Sequence, residues 1–210
     1  GFEALNRNRH GTDNTAVGAF ALRTNTTGFN NTANGSGALG FNTSGFQNTA
    51  NGISALGNNN TGYNNTAIGS VALANNTIGS SNTAVGGEAL LNTTGGSNIA
   101  LGFEAGVNLT TGSNNIDIGN LGFATEQSTI RIGTGGVQTN TFIAGISGVT
   151  VAGGVAVVID ANGQLGISTS SARFKEAISP MDKASEAILA LKPVTFRYKK
   201  ELDPAGVPQF

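Results

Sequence analysis

The sequence has no cysteine and no tryptophan, and only four prolines in 210 residues. Without cysteine there is neither a disulfide framework nor a thiolate metal site. That usage suits bacterial or viral surface proteins, which persist without redox chemistry. Charge is scarce too: 11% of the residues are Asp, Glu, Lys or Arg, against about 25% in typical globular domains. The stretch from Thr24 to Gly87 has none, and the net charge of the chain is −1. With no basic patch ahead of the C-terminal segment, nucleic-acid binding has no support. No apolar run approaches the ~20 residues of a bilayer-crossing helix, so no membrane span is expected. No cofactor or metal motif is present, and the lone histidine, His10, reads as an exposed loop residue. The shortage of charge is local, because 12 of the 31 residues from Arg173 to Asp203 are charged. A step of that kind marks a domain boundary.

What fills the uncharged part is a repeat. The pentad NTAVG begins at Asn14, and relatives of it begin at Asn31, Asn48, Asn65, Asn82, Asn98 and Asn115, at steps of 17, 17, 17, 17, 16 and 17 residues. Gly1 to Asp13 fits as the tail of an earlier unit, so an upstream extension is expected, and no signal peptide is visible. Seventeen residues are too few for a helical-hairpin repeat, which takes ~33–47, and Asn, Thr and Gly are poor helix formers. One unit does fit one coil of a parallel β-solenoid. The pentad supplies a short strand. Its last Gly and the Gly of the NTTG segment (Gly28, Gly45, Gly62, Gly79, Gly95, Gly112) are expected to turn the chain through φ > 0. Stacked coils place equivalent residues in columns ~4.7–4.9 Å apart, where asparagines can form amide ladders. The recurring Ala-Leu pair (Ala21-Leu22 to Ala89-Leu90, decaying to Ala105-Gly106) reads as the core of each coil. So small an apolar content is a weak match for the entropy of ordering 17 residues, so side-by-side packing of several chains is expected.

Several columns are candidates for function. Phe29, Phe46 and Tyr63 follow the turn glycine in successive coils. They form either a structural aromatic ladder or an exposed stripe that stacks on glycan rings. The fourth pentad position is apolar at Val17, Ile68, Val85, Leu101 and Ile118 but is Asn34 and Asn51 in two neighbouring coils. If this column faces an axis shared by several chains, the two amides are candidates to hold water or an ion; otherwise they pair with each other or point outward. Glu88 and Glu104 share a column, which reads as a solvated acidic ladder in preference to the carboxylate pair of a glycosidase. The N-x-[ST] triplets, such as that at Asn25, follow from composition.

The repeats resemble the head repeats of trimeric autotransporter adhesins (YadA-like, Hep/Hag type) and the NTA(V/I)G…AL…NTTG units of tail-fibre and surface-fibre proteins. The resemblance covers residues 1–120. It implies a left-handed parallel β-roll assembled as a homotrimer, extracellular, on a cell surface or a virion, with a surface glycan or protein receptor as a further partner. From about Leu121 the period fails. STIRIG, TFIAGI, GVTVAGG and VAVVIDANGQLGI read as short β runs, the last as strand, turn, strand. Residues 121–169 are read as a trimeric β neck or connector.

After Ser168 the chain changes character. Met181 to Leu191 has helical periodicity, Pro193 ends it, and VTFRY alternates as a strand. This part resembles the start of the peptidase S74 intramolecular chaperone domain of phage endosialidases. Ser170, Arg173, Phe174 and Lys175 match its Ser-Asp-x-Arg-(Leu/Phe)-Lys motif, and Leu191–Tyr198 matches LKPVxFxYK. Ser171 stands at the motif's Asp position. Residues 170–210 are read as the N-terminal part of that domain, an α+β segment. The resemblance implies trimerisation, assistance to the folding of the upstream fibre, and self-cleavage at Thr169–Ser170. Ser170 would be the nucleophile and Lys175 the general base, which requires burial to lower the lysine pKa. No other enzymatic activity is indicated. Two alternatives remain: a glycan-degrading tailspike, which needs clustered carboxylates in a groove, and an ice- or mineral-binding solenoid with a flat Thr and Asn face.

Overall fold

The computed structural model describes residues 1–146 and 154–167, and the chain divides into two units, Gly1–Phe142 and Ile143–Phe210. The first unit is a parallel β-solenoid. Its sheet runs in sequence order through β1 (Thr15–Val17), β2 (Thr32–Asn34), β3 (Thr49–Asn51), β4 (Thr66–Ile68), β5 (Thr83–Val85), β6 (Ile99–Leu101), β7 (Ile116–Ile118) and β8 (Ile130–Ile132). Equivalent residues pair across coils, as in Thr32↔Thr49, Ala33↔Ala50 and Asn34↔Asn51. In β2–β6 the middle residue, alanine, points inward and is fully buried. The outer residues flank it on the opposite face, as the period of two requires.

The core is the expected one. Ala21-Leu22, Ala38-Leu39, Ala55-Leu56, Ala72-Leu73 and Ala89-Leu90 are all fully buried and join the strand alanines in one cluster. The coil is so thin that the chain must bend sharply to aim these leucines inward. It does so through the left-handed region: Leu22, Leu39, Leu56, Leu73 and Leu90 have φ of 49° to 53°. For a residue with a Cβ that conformation costs about 1–2 kcal/mol, which is offset by the ~1.5–3 kcal/mol from burying each leucine. Away from the strands, backbone groups pair along the stack as well. Leu39 N–H donates to the Ala55 carbonyl (3.0 Å), and Phe41 N–H to that of Gly57 (2.9 Å).

One expectation about the glycines is corrected. The pentad glycines do turn through positive φ, for example 142° at Gly35 and 144° at Gly52, whereas Gly28, Gly45, Gly62, Gly79, Gly95 and Gly112 do not. Close approach is what demands glycine there, since a Cβ on Gly28 would stand 2.3 Å from Asn25 Oδ1 and 2.4 Å from the Gly45 carbonyl oxygen. The positive φ falls two residues later, on Asn30, Gln47, Asn64, Ser81, Ser97 and Asn114.

Two ladders of buried asparagine run along the roll, one from Asn14 to Asn115 and a shorter one that ends at Asn76. In the first, Asn31 donates from its backbone N–H (3.0 Å) and Nδ2 (3.1 Å) to Asn14 Oδ1, and from Nδ2 to the Gly45 carbonyl (2.9 Å). Asn48, Asn65 and Asn82 repeat the pattern. In the second, Asn42 Nδ2 donates to Asn25 Oδ1 (2.7 Å) and to the same Gly45 carbonyl (3.0 Å). Gly45, Gly62 and Gly79 thus each offer one carbonyl to two buried amides, which settles the donors that burial would otherwise leave costly.

The stack continues beyond residue 120. Asn115 Nδ2 donates to the Glu126 carbonyl (2.9 Å), which takes the part of the turn glycine, and Thr129 N–H donates to Asn115 Oδ1 (3.1 Å). A shorter coil then delivers β8 alongside β7, with Ile116 opposite Ile130.

In the second unit, β9 (Val157–Ile159) and β10 (Leu165–Ile167) form an antiparallel hairpin, the strand–turn–strand expected of VAVVIDANGQLGI. Asp160 closes its turn by accepting from the N–H groups of Asn162 and Gln164, both at 2.9 Å. TFIAGI (residues 141–146) forms no strand, contrary to expectation; among the described residues no segment pairs with it to complete a ladder. The expected helix at Met181–Leu191 and strand at VTFRY lie outside the described residues, as does most of GVTVAGG.

Candidate functional site

Phe29, Phe46 and Tyr63 form a continuous ladder on the outside of the roll. Their ring centroids are 4.9 Å apart at both steps and the planes are within 6° of parallel. The spacing is that of the coils, so the backbone stack itself sets the offset. Phe46, the middle ring, has both faces covered by its neighbours. What the ladder presents to another molecule is a row of ring edges and one free face at each end. Phe46→Ala is expected to destabilise the roll by about 1–3 kcal/mol, since two stacked pairs contribute ~0.5–1.5 kcal/mol each. Tyr63→Ala, which removes one, should lose about half as much. Urea unfolding of the two variants checks this, and equal losses would refute the ladder as an energetic unit.

Asn34 and Asn51 lie on the exposed outer face of β2 and β3, and Asn34 Nδ2 donates to Asn51 Oδ1 at 3.3 Å. Within one chain they pair with each other and point outward. Their column holds Val17, Ile68 and Leu101, which are 56%, 41% and 48% exposed. Further along, the same face carries Ile99, Ile130 and Ile132, also exposed, so an apolar stripe covers the outside of β6–β8. Glu88 and Glu104 occupy one column, both with positive φ. Among the described residues no group of three metal-ligating side chains occurs.

Arg23 lies over the rings of Phe20 and Phe41, at 5.3 and 5.4 Å from their centroids. It borders a shallow groove of about 370 Å³ with Ile53 on its rim and Gly40 and Gly57 in its lining. The combination of aromatic wall, cation and bare backbone can take a flat, polar-edged ligand.

One group escaped the reading of the sequence. Asp117 takes the inward alanine position of β7, is 1% exposed, and has no hydrogen-bond partner on either carboxylate oxygen among the described residues. Its signal is visible once the repeats are aligned: an acid in the alanine column, one coil after Leu gives way to Gly106.

Ser170 and Lys175 lie outside the described residues. Residues 170–208 match the peptidase S74 family, the chaperone of endosialidase. The match begins at the serine read as the nucleophile. No curated protein and no solved structure was found to match the chain. The chain thus joins a parallel β-solenoid of about 17-residue repeats to a C-terminal segment of the peptidase S74 chaperone type. No helix among the described residues is long and apolar enough to cross a membrane.

Proposed function

We propose that the chain is part of a homotrimeric fibre, on a cell surface or a virion, whose C-terminal segment belongs to an intramolecular chaperone that assembles the fibre and then cuts itself away. The observation that carries this reading is the chaperone match starting at Ser170, in a chain whose preceding part is a stack of near-identical coils joined to it by a connector. Such a stack needs help to assemble. Neighbouring coils differ so little that chains brought side by side can slip by one coil at small local cost, and non-local β pairing is slow. A C-terminal clamp that trimerises first fixes the register. The exposed apolar stripe on β6–β8 supports a seam between copies, because contiguous apolar surface of this kind marks an interaction site. Continued along the same face to β2 and β3, that seam takes in Asn34 and Asn51 as polar rungs suited to water or an ion.

In the cleavage step, Ser170 Oγ attacks the Thr169 carbonyl carbon. Lys175, neutral through burial, accepts the hydroxyl proton and passes it to the departing Ser170 amine. The Thr169–Ser170 bond breaks as an acyl link forms, and water then releases the fibre. On the fibre itself, the aromatic edges at Phe29–Tyr63 and the Arg23 groove are the surfaces offered to a glycan or protein receptor. Intact mass of the expressed protein is expected to show shortening at Thr169–Ser170, abolished in Ser170→Ala, with a trimeric solution mass in both. A protein that is never shortened refutes self-cleavage, and a folded monomer refutes the fibre.

A further inference from the structure

Alanine holds the inward position of β2–β6, but in β7 the residue paired with Ala100 is Asp117. A second change accompanies it. The core leucine of five earlier coils is Gly106 in the coil before, where a Cβ would stand 2.7 Å from Leu90 Cδ2 and 3.3 Å from Asp117 Oδ2. On the other side, a Cβ on Gly122 would stand 3.1 Å from the same oxygen and 3.2 Å from Leu109 Cγ. The carboxyl therefore fills a slot made by two glycines, with φ of 65° and 67°, and walled by Leu109. Any side chain at either glycine would close it.

The preceding coil faces Asp117 with apolar groups. The charged groups that act on it among the described residues are Glu126 and Arg131, both from the segment that follows. These two pair with each other: Arg131 Nη2 lies 2.7 Å from Glu126 Oε2, and its Nε donates to the same oxygen at 2.8 Å. Arg131 also lies 4.5 Å over the Phe123 ring. Although Arg131 is the strand neighbour of Asp117, it makes no hydrogen bond to it.

We propose that Asp117 and the turn that closes over it, residues 119–128, form a proton-dependent clasp at the C-terminal end of the solenoid, tight when the carboxyl is protonated and loosened when it is ionised. A neutral carboxyl is tolerable in this slot, whereas a carboxylate without donors is costly. Burial is the main cause that raises its pKa from 3.8 to about 6; Glu126 adds to the rise and Arg131 opposes it. The folded state thus binds the proton more tightly than the unfolded chain does. Stability from this group is full below about pH 3.8, falls as the pH rises to about 6, and is level above. The clasp stands on coil geometry alone, so the fibre and cleavage readings survive its failure, and it survives theirs.

Hydrogen exchange on the whole chain, corrected for intrinsic rates and followed at pH values from 4 to 7.5, is the test. Protection of residues 116–132 is expected to drop about tenfold to a hundredfold at the higher pH, while residues 49–85 keep theirs. Asp117→Asn, which preserves shape and removes the titration, should abolish the drop. Glu126→Gln should move its midpoint to lower pH. A wild type without the drop, an Asp117→Asn chain that keeps it, or a midpoint unmoved in Glu126→Gln overturns the proposal.

Discussion

Gly45→Ala is expected to cost the solenoid about 4 kcal/mol or more, an unusual loss for one methyl group. Backbone conformation is not the cause, because Gly45 has no left-handed φ. Contact is the cause. The new Cβ would stand 2.3 Å from Asn42 Oδ1, 2.5 Å from the Gly62 carbonyl oxygen and 2.6 Å from Asn59 Nδ2. These atoms belong to the second asparagine ladder and to the next turn, and the Gly45 carbonyl also accepts from Asn31 of the first. Overpacking costs about 1–3 kcal/mol, and each buried polar group left without a partner costs about 1–3 kcal/mol more. One methyl here displaces at least two such groups. Gly40→Ala is the control. Gly40 stands where Arg23, Ala74 and Leu91 stand in other coils, each with a carbonyl that accepts from the coil before. The fold tolerates side chains there, so the control should change stability by about 1 kcal/mol or less. Denaturant midpoints of the two variants decide it, and equal losses would refute the close-contact account.

A stack of coils turns sequence period directly into spatial column, which is why so much of this fold can be read in advance. The 17-residue step places Asn31 on Asn14 and Leu39 on Leu22, so both the amide ladder and the core pair follow from alignment alone. The turn glycines show where such reading stops. Gly45 stands out as invariant within the repeat, but the repeat does not reveal whether φ or contact demands it. The left-handed conformation falls on residues such as Leu39 and Gln47, whose types favour no such backbone; coil closure imposes it. The coil ending at β8 is hidden for a related reason. There the Glu126 carbonyl and the Thr129 N–H replace the glycine and asparagine of the repeat, and backbone groups leave no mark in the sequence. Asp117 went unread because its meaning lies in two coupled changes, alanine to acid and leucine to glycine, that no single position discloses. Ser170 and Lys175 rest on motif and family match, with no contribution from the repeat.

Asn48→Asp, nearly isosteric, tests whether the ladders stabilise through their donors or through their shape. Asn48 is 1% exposed. It donates from its backbone N–H and Nδ2 to Asn31 Oδ1, both at 3.1 Å, and from Nδ2 to the Gly62 carbonyl at 2.9 Å. Its Oδ1 accepts from Asn65 N–H (3.0 Å) and Nδ2 (3.1 Å). Aspartate keeps the acceptor and loses both amide donors. Its second oxygen then faces Asn31 Oδ1 and the Gly62 carbonyl, two acceptors, inside the roll. We expect a loss of about 3–5 kcal/mol near neutral pH, from unmet acceptors and a buried charge. Acidification should recover part of it, because protonation removes the charge and restores one donor. Asn34→Asp makes the same chemical change on the exposed face, where a single 3.3 Å bond to Asn51 is at stake, and should cost about 1 kcal/mol or less. If thermal unfolding shows the two substitutions to be equal, the ladder contributes only shape. A ladder that acts through its donors also has a direction. Each Asn gives to the coil before and receives from the coil after, so replacing one rung disturbs the rungs on both sides, and the loss exceeds that of any single hydrogen bond.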